Sequence, residues 1–372
     1  MIYYIIPFIV VIYGSVRYDI FQIKDIAKPL IFWMLYFYLV LLIGLRYMVG
    51  GDSYFYKLYF DSIPTSNAIN ISWDAEYQPF FSLFAYITKI IYPSFTSFQI
   101  FHSIIINTVL FCFIIKNSRY RYFTLFLCLL MFYINFTVEI LRESLAIMVF
   151  IINYKSFETN KWFRYYIGVF FAIMFHLSAV FLIILPFFKI LKLNRTYILI
   201  LIASFLILGQ LTYLFTFLEN VDKIGKKVND YSEAGYGWKS TLLFFITRTL
   251  IPVGLLMWAK VKFHMKIHYE ALICVFGLLG VLSVFNTIIF TRFTNYLFAF
   301  YCISLSDVLM PFFQQKSMNL TKSFVTSTVV VIILCYGYIS FYWPVKYYEK
   351  WIPYYSIFSS EAKDQKFINR NY

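Results

Sequence analysis

The chain has 372 residues, of which 61% are hydrophobic and 23% aromatic but only 13% charged. That is more apolar surface than a water-soluble core of this length can use. Lys+Arg 32 against Asp+Glu 18 gives a net charge of +14, yet the basic residues stand in short loops between apolar runs, where they orient helices rather than track nucleic acid. Composition thus excludes a soluble enzyme and a nucleic-acid binder. It predicts an all-α, polytopic membrane helix bundle forming one domain over 1–345, with an aromatic, charged tail over 346–372.

In chain order, apolar runs that read as spans, which need about 17 to 25 residues, lie at 2–16, 29–45, 96–115, 122–138, 196–218, 270–291 and 323–345. The first has no basic residues before it and no small-residue cleavage site, and reads as a retained helix. Shorter or interrupted runs lie at 79–92, 143–154, 165–188, 241–259 and 293–310. Six basic clusters orient them: Arg17/Lys24/Lys28, Lys116/Arg119/Arg121, Lys155/Lys161/Arg164, Lys189/Lys192/Arg195, Lys260/Lys262/Lys266 and Lys316/Lys322. With all six inside, 48–78 is an outer loop, and the run 79–92 with Lys89 in it lies in the interface or re-enters from outside. The run 165–188 then has to be a hairpin turning near His176-Leu177-Ser178. A single span there would reverse everything after it, and charge counting leaves both arrangements open. The hairpin arrangement has the N-terminus outside, about twelve crossings and a second outer loop at 219–240.

Charge at helix depth costs on the order of 2.5 to 3.5 kcal/mol per residue on insertion scales, so the exceptions carry the functional argument. They are Arg46, Asp52, Glu76, Glu139, Arg142, Glu143, His176, Arg248 and Arg292, all at or near the outer face. In "FTVEILRESLAIMVF" a continuous helix places Arg142 beside Glu139, either as a structural ion pair or as an arginine aimed at a phosphate. Arg248 and Arg292 have no acid within four residues in the sequence and point to a polar cavity or an anionic headgroup. His176 is either a hydrogen-bonded packing residue or, at the hairpin bend, a base or a donor to a sugar or phosphate oxygen. His264 and His268 have the spacing of two helical metal ligands, but they sit among lysines on the inner side and lack a zincin glutamate. Five cysteines inside apolar runs imply packing rather than disulfides or zinc. The chain has no phosphate-cradling loop, dinucleotide fingerprint or serine elbow, so no cofactor and no metal is expected.

Arg46 followed by Gly51-Asp52 and Tyr56, Glu76 with Pro79-Phe80, "LRESLA" at 141–146, "FHLSAV" at 175–180, and Arg292 with Tyr296 together resemble the EpsG family of Wzy-type polysaccharide polymerases. The resemblance runs from about residue 30 to 300. It departs at Arg142-Glu143, where the family usually reads Arg-Gln, and at Gly50-Gly51-Asp52, where it usually reads Gly-Thr-Asp. It implies a multi-spanning, GT-C-like glycosyltransferase of the bacterial cytoplasmic membrane with its site facing outward. The implied reaction moves a growing glycan from undecaprenyl pyrophosphate onto the terminal sugar of a new lipid-linked unit, alongside a flippase and a chain-length regulator. Arg142, with Arg46, Arg248 and Arg292, is then expected to meet the pyrophosphate, and Asp52, Glu76 or His176 to take the acceptor proton. The alternatives from other classes are a lipid-linked oligosaccharide flippase or transporter, an O-antigen ligase and a membrane acyltransferase.

Overall fold

The computed structural model describes residues 2–64, 77–206, 238–285, 287–314, 321–342 and 350–359. Its described residues are helical with no strand. They form two compact units, one of Met1–Ile183 with Tyr342–Tyr372 and one of Ile184–Phe341.

In the first unit, α1 (Ile2–Gly14) runs into a π-helical turn, Ser15–Ile20, and α2 is Ala27–Gly44. The segment read as a loop holds a short helix, α3 (Ser53–Ser62), before α4 (Pro79–Ile91). At 13 residues α4 is about 20 Å long, too short to cross. Lys89 of α4 donates to the carbonyls of Phe60, Asp61 and Ile63 at 2.7, 2.8 and 2.7 Å, satisfying the C-terminal end of α3 with a cation where the helix dipole favours one. That bond set gives the lysine in an apolar run its reason.

Helix α5 (Phe95–Asn117) is the longest of this unit and starts on Ser94, whose Oγ accepts from Thr96 N at 3.3 Å, a serine N-cap. Helix α6 (Arg121–Cys128) continues through π-helical turns to Glu139. The chain breaks at Ile140 (φ −96, ψ 55), and α7 (Leu141–Glu158) begins. Helices α7 and α8 (Trp162–Phe175) pack closely, with Asn153 Nδ2 donating to the Tyr165 carbonyl at 2.9 Å. After α8 the chain turns at His176, and Tyr165 OH donates to Leu182 O at 2.6 Å. Residues 17 apart meet there, so 165–183 doubles back as a hairpin.

The crossings differ from expectation. Among the described residues four helices are long and apolar enough to span: Ile2–Ile20, Ala27–Gly44, Phe95–Asn117 and Thr241–Phe263. A fifth counts if Ile289–Asn295 and Phe298–Gln314, bent by 63°, form one span. About twelve full-length crossings do not follow, because many apolar runs outlast the helices they form. The run 270–291, for example, is continuous α-helix only over Glu270–Leu282. The protein is a helical membrane protein.

In the second unit the Glu270 carboxylate accepts from Leu193 N at 2.5 Å and pairs with Lys260. Tyr197 OH donates to Cys274 O at 2.7 Å, and Tyr301 stacks on Phe276 at 4.1 Å. His264 and His268 do not share a helix: it ends at Phe263, His264 has φ 53, and His268 pairs with Asp307 at 2.5 Å.

Candidate functional site

The lip of α2 is closed by the other end of the chain. Tyr47 N donates to Tyr355 O at 2.8 Å, Gly50 N to Lys350 O at 3.0 Å and Ile357 N to Leu45 O at 3.0 Å, and Arg46 bridges Ser356 in antiparallel sense. Residues 350–359 are therefore a strap bonded across 45–50. Gly50 sits beneath it with φ 111, where a Cβ would stand 2.8 Å from the Val138 carbonyl oxygen and 2.7 Å from Val138 Cγ1. Only glycine suits that conformation and approach.

Close packing at Gly50 brings Gly51 against Glu139. The Gly51 N–H donates to both carboxylate oxygens at 3.0 Å, and Trp351 Nε1 donates to Oε1 at 2.5 Å. Burial raises the Glu139 pKa above its ordinary value, against those bonds and the nearby Lys350 charge. The expected helical pairing of Glu139 with Arg142 is absent among the described residues. The break at Ile140 ends the helical register between them, and Glu139 turns to the strap.

Arg142 turns to α4. Its guanidinium lies 4.4 Å from the Tyr77 ring centroid, donates to Gln78 Oε1 at 3.3 Å and is hydrogen-bonded to Tyr56. Asp52, exposed at the start of α3, acts electrostatically on both Tyr56 and Glu139. Phe80 packs on Phe171 and Phe175 at 5.5 and 5.7 Å, bringing the start of α4 to the end of α8 and the turn at His176. Asp52, Arg142 and His176 are thus gathered around one end of α3, α4, α7 and α8. His176 is buried, and its Nδ1 accepts from Ser178 N at 3.2 Å and lies 2.7 Å from Ser178 Oγ, which makes it the cap of its own turn. Glu76, and the loop 219–240 up to residue 237, lie outside the described residues.

Beneath the lip, Arg46 is 1% exposed and donates through Nη1 to Ile43 O at 2.6 Å. Burial lowers its pKa to about 10, so it stays charged at neutral pH. His102 of α5, which the sequence reading passed over, is fully buried near it: its Nε2 lies 3.1 Å from both Leu141 O and Ser144 Oγ. The signal was there in the apolar run 96–115. Gln99, His102, Ser103 and Asn107 recur at helical spacing, a polar stripe on one face, and all four are buried.

In the second unit Arg248 is buried between two rings, 4.0 Å from the Phe244 centroid and 3.9 Å from that of Tyr338, and donates from Nε and Nη2 to Gly337 O. Arg292 lies half-buried on the short helix before the 63° bend. A cavity of 480 Å³ opens at the opposite end of α5 from His102, lined by Cys112, Lys116, Ile152 and Lys155 among others. It touches none of the residues of the outer cluster.

The family model described as the EpsG family matches residues 29–356, from the start of α2 to the strap residue bridged to Arg46. The chain belongs to the EpsG family. That is a Wzy-type polymerase family, and the match takes in Asp52, Arg142, His176, Arg248, Arg292 and the strap residue Trp351. Searches of curated proteins and of solved structures returned no match.

Proposed function

We propose that this EpsG-family protein polymerises lipid-linked oligosaccharide repeat units at the outer face of a bacterial cytoplasmic membrane. The acceptor sugar oxygen bonds the anomeric carbon of the growing glycan while the bond from that carbon to undecaprenyl pyrophosphate breaks. The electron pair leaves with the pyrophosphate, and the hydroxyl proton passes to a base. One observation carries this reading: Arg142 has no carboxylate partner among the described residues and rests on neutral Tyr77, Gln78 and Tyr56. A planar guanidinium at the membrane lip without a carboxylate partner among the described residues is suited to a diphosphate whose charge grows as it departs.

In this reading Arg142 meets the pyrophosphate and Arg46 adds charge from below, while Arg248 and Arg292 of the second unit hold the same role on the strength of their sequence context. Asp52, Glu76 or His176 takes the proton, a contribution of roughly 10² to 10⁴ in rate. Asp52 suits the part through its exposure beside Tyr56. The site then belongs to a GT-C-like bundle, next to a flippase that supplies the lipid-linked units and a regulator that sets chain length. Deleting the protein and resolving surface glycan on gels tests the assignment. A polymerase loss leaves a single repeat unit displayed, whereas complete absence of surface glycan would mean that the protein moves lipid-linked units across the membrane.

A further inference from the structure

The last turns of α5 and α7 end together at the 480 Å³ cavity and both line it. On α5 the lining positions Val109, Phe113 and Lys116 follow at spacings of four and three, and on α7 Ile151, Lys155 and Glu158 do the same. Each set is therefore one face of one helix. In both helices the apolar positions come first and the charged ones last, so the cavity has an apolar floor and a charged mouth. Its volume falls within the range of about 300 to 1,000 Å³ typical of sites that hold a small molecule.

Lysines in the last turn of a helix ordinarily serve its unpaired carbonyls. Here those carbonyls have other donors. Ser118 N donates to Ile114 O at 2.9 Å and Arg121 Nη2 to Ile115 O at 3.2 Å. On α7 Thr159 N donates to Lys155 O at 3.0 Å, Lys161 N to Ser156 O at 2.9 Å and Asn160 N to Phe157 O at 3.3 Å. The Lys116 and Lys155 ammonium groups are left over from this capping. Neither has a carboxylate partner among the described residues, although Glu158 lines the same cavity. Residues 108–121 and 151–164 together hold six basic side chains and one acidic, so the surroundings of the mouth are cationic as well.

We propose that this cavity binds an acidic glycerophospholipid, with an acyl chain along the floor of Val109, Phe113, Ile151 and Ile152 and the phosphodiester at the mouth shared by Lys116 and Lys155. Basic pockets between membrane helices select acidic headgroups in this way. The apolar floor favours a lipid over a free anion, and the cationic mouth disfavours a zwitterion, whose ammonium would meet two lysines. The basic clusters that flank the mouth assign the lipid to the inner leaflet. The site lies away from the outer cluster and does not rest on the polymerase reading.

Cys112 supplies a local probe, since it lines the cavity and is exposed. Purified protein is placed in vesicles of phosphatidylcholine alone or of phosphatidylcholine with increasing phosphatidylglycerol, and treated with uncharged N-ethylmaleimide. Modification of Cys112 is then followed by peptide mass spectrometry. The reagent crosses membranes, so the orientation of the protein in the vesicle does not matter. Phosphatidylglycerol should slow the reaction at Cys112. One lysine near an acidic lipid contributes about fivefold in affinity, so in Lys116→Gln/Lys155→Gln half-protection should need about 25-fold more of that lipid. Glu158→Gln should need less than the wild type. All three side chains are exposed, and melting temperatures in detergent should stay near the wild type. Equal reactivity in both kinds of vesicle overturns the site, as does protection that persists unchanged in the double variant, which would reflect the charge of the vesicle surface alone. Protection by a long-chain polyprenyl phosphate but not by phosphatidylglycerol would overturn the assignment to a glycerophospholipid.

Discussion

Arg142 and Glu139 stand three residues apart and share no bond, because the turn at Ile140 ends one helical segment before the next begins. A helical spacing rule holds only within one helix, and nothing in "VEILRE" announces the break. The consequence is measurable. In a double-mutant cycle of Glu139→Leu and Arg142→Met, the losses of stability should add to within about 0.5 kcal/mol, as for residues without a shared contact; strong mutual rescue would restore the ion pair. Glu139 also predicts a pH dependence. Its pKa in the folded protein lies above the ordinary 4.5 because of burial, so the folded state holds a proton that the unfolded chain has already released. Stability from this group therefore falls as pH rises from below 4.5 through the folded value. Melting temperatures followed over that window should decline less in Glu139→Gln than in the wild type. An equal slope in both would show that the carboxylate is not held as described.

The strap 350–359 was the element least legible in the sequence. Its aromatic, charged composition reads as a segment lying along headgroups, but Trp351 is 7% exposed and bound to Glu139, and Tyr354 OH donates to Leu42 O at 2.8 Å. Pairing between residues about 310 apart leaves no periodic mark, so no local pattern could have revealed it. By contrast, the short α4 was legible, since the basic clusters before and after it restrict how often the chain can cross, whereas at His176 charge counting left a hairpin and a single span both open and the bond from Tyr165 to Leu182 favours the hairpin. Trp351→Phe keeps the ring and removes its N–H, leaving a buried carboxylate short of one donor. It should cost about 1 to 3 kcal/mol, read as a fall in melting temperature, and an unchanged value would mean that the strap does not hold Glu139. Gly50→Ala should be more damaging, because φ 111 and the Val138 carbonyl both exclude a Cβ. Wild-type expression and stability for that variant would contradict the tight crossing of the strap and the lip.

At the scale of the whole molecule, composition and the even spread of apolar runs made the helical membrane class legible, and the motif order made the family legible before any coordinates. Crossing number was not, because hydropathy marks where a run is apolar and not where its helix breaks. The buried polar stripe of Gln99, His102, Ser103 and Asn107 escaped too, since it sits inside a run that counts as a span. Orientation is open to a direct check. In a cysteine-free background, Ser62→Cys should react with an impermeant thiol reagent in intact cells whose outer layers admit it, and Thr159→Cys only after the membrane is opened; both positions are exposed. The reverse pattern would move Asp52 and Arg142 to the inner face. The central claim is that Arg142 uses its forked donors on a departing pyrophosphate. Its most direct test is the length of glycan made by purified protein from lipid-linked repeat units. The wild type should give chains of several units, and Arg142→Lys, which keeps the charge but not the fork, should give little beyond one unit while melting within a few degrees of the wild type. Full-length chains from Arg142→Lys and Arg142→Gln would contradict the account.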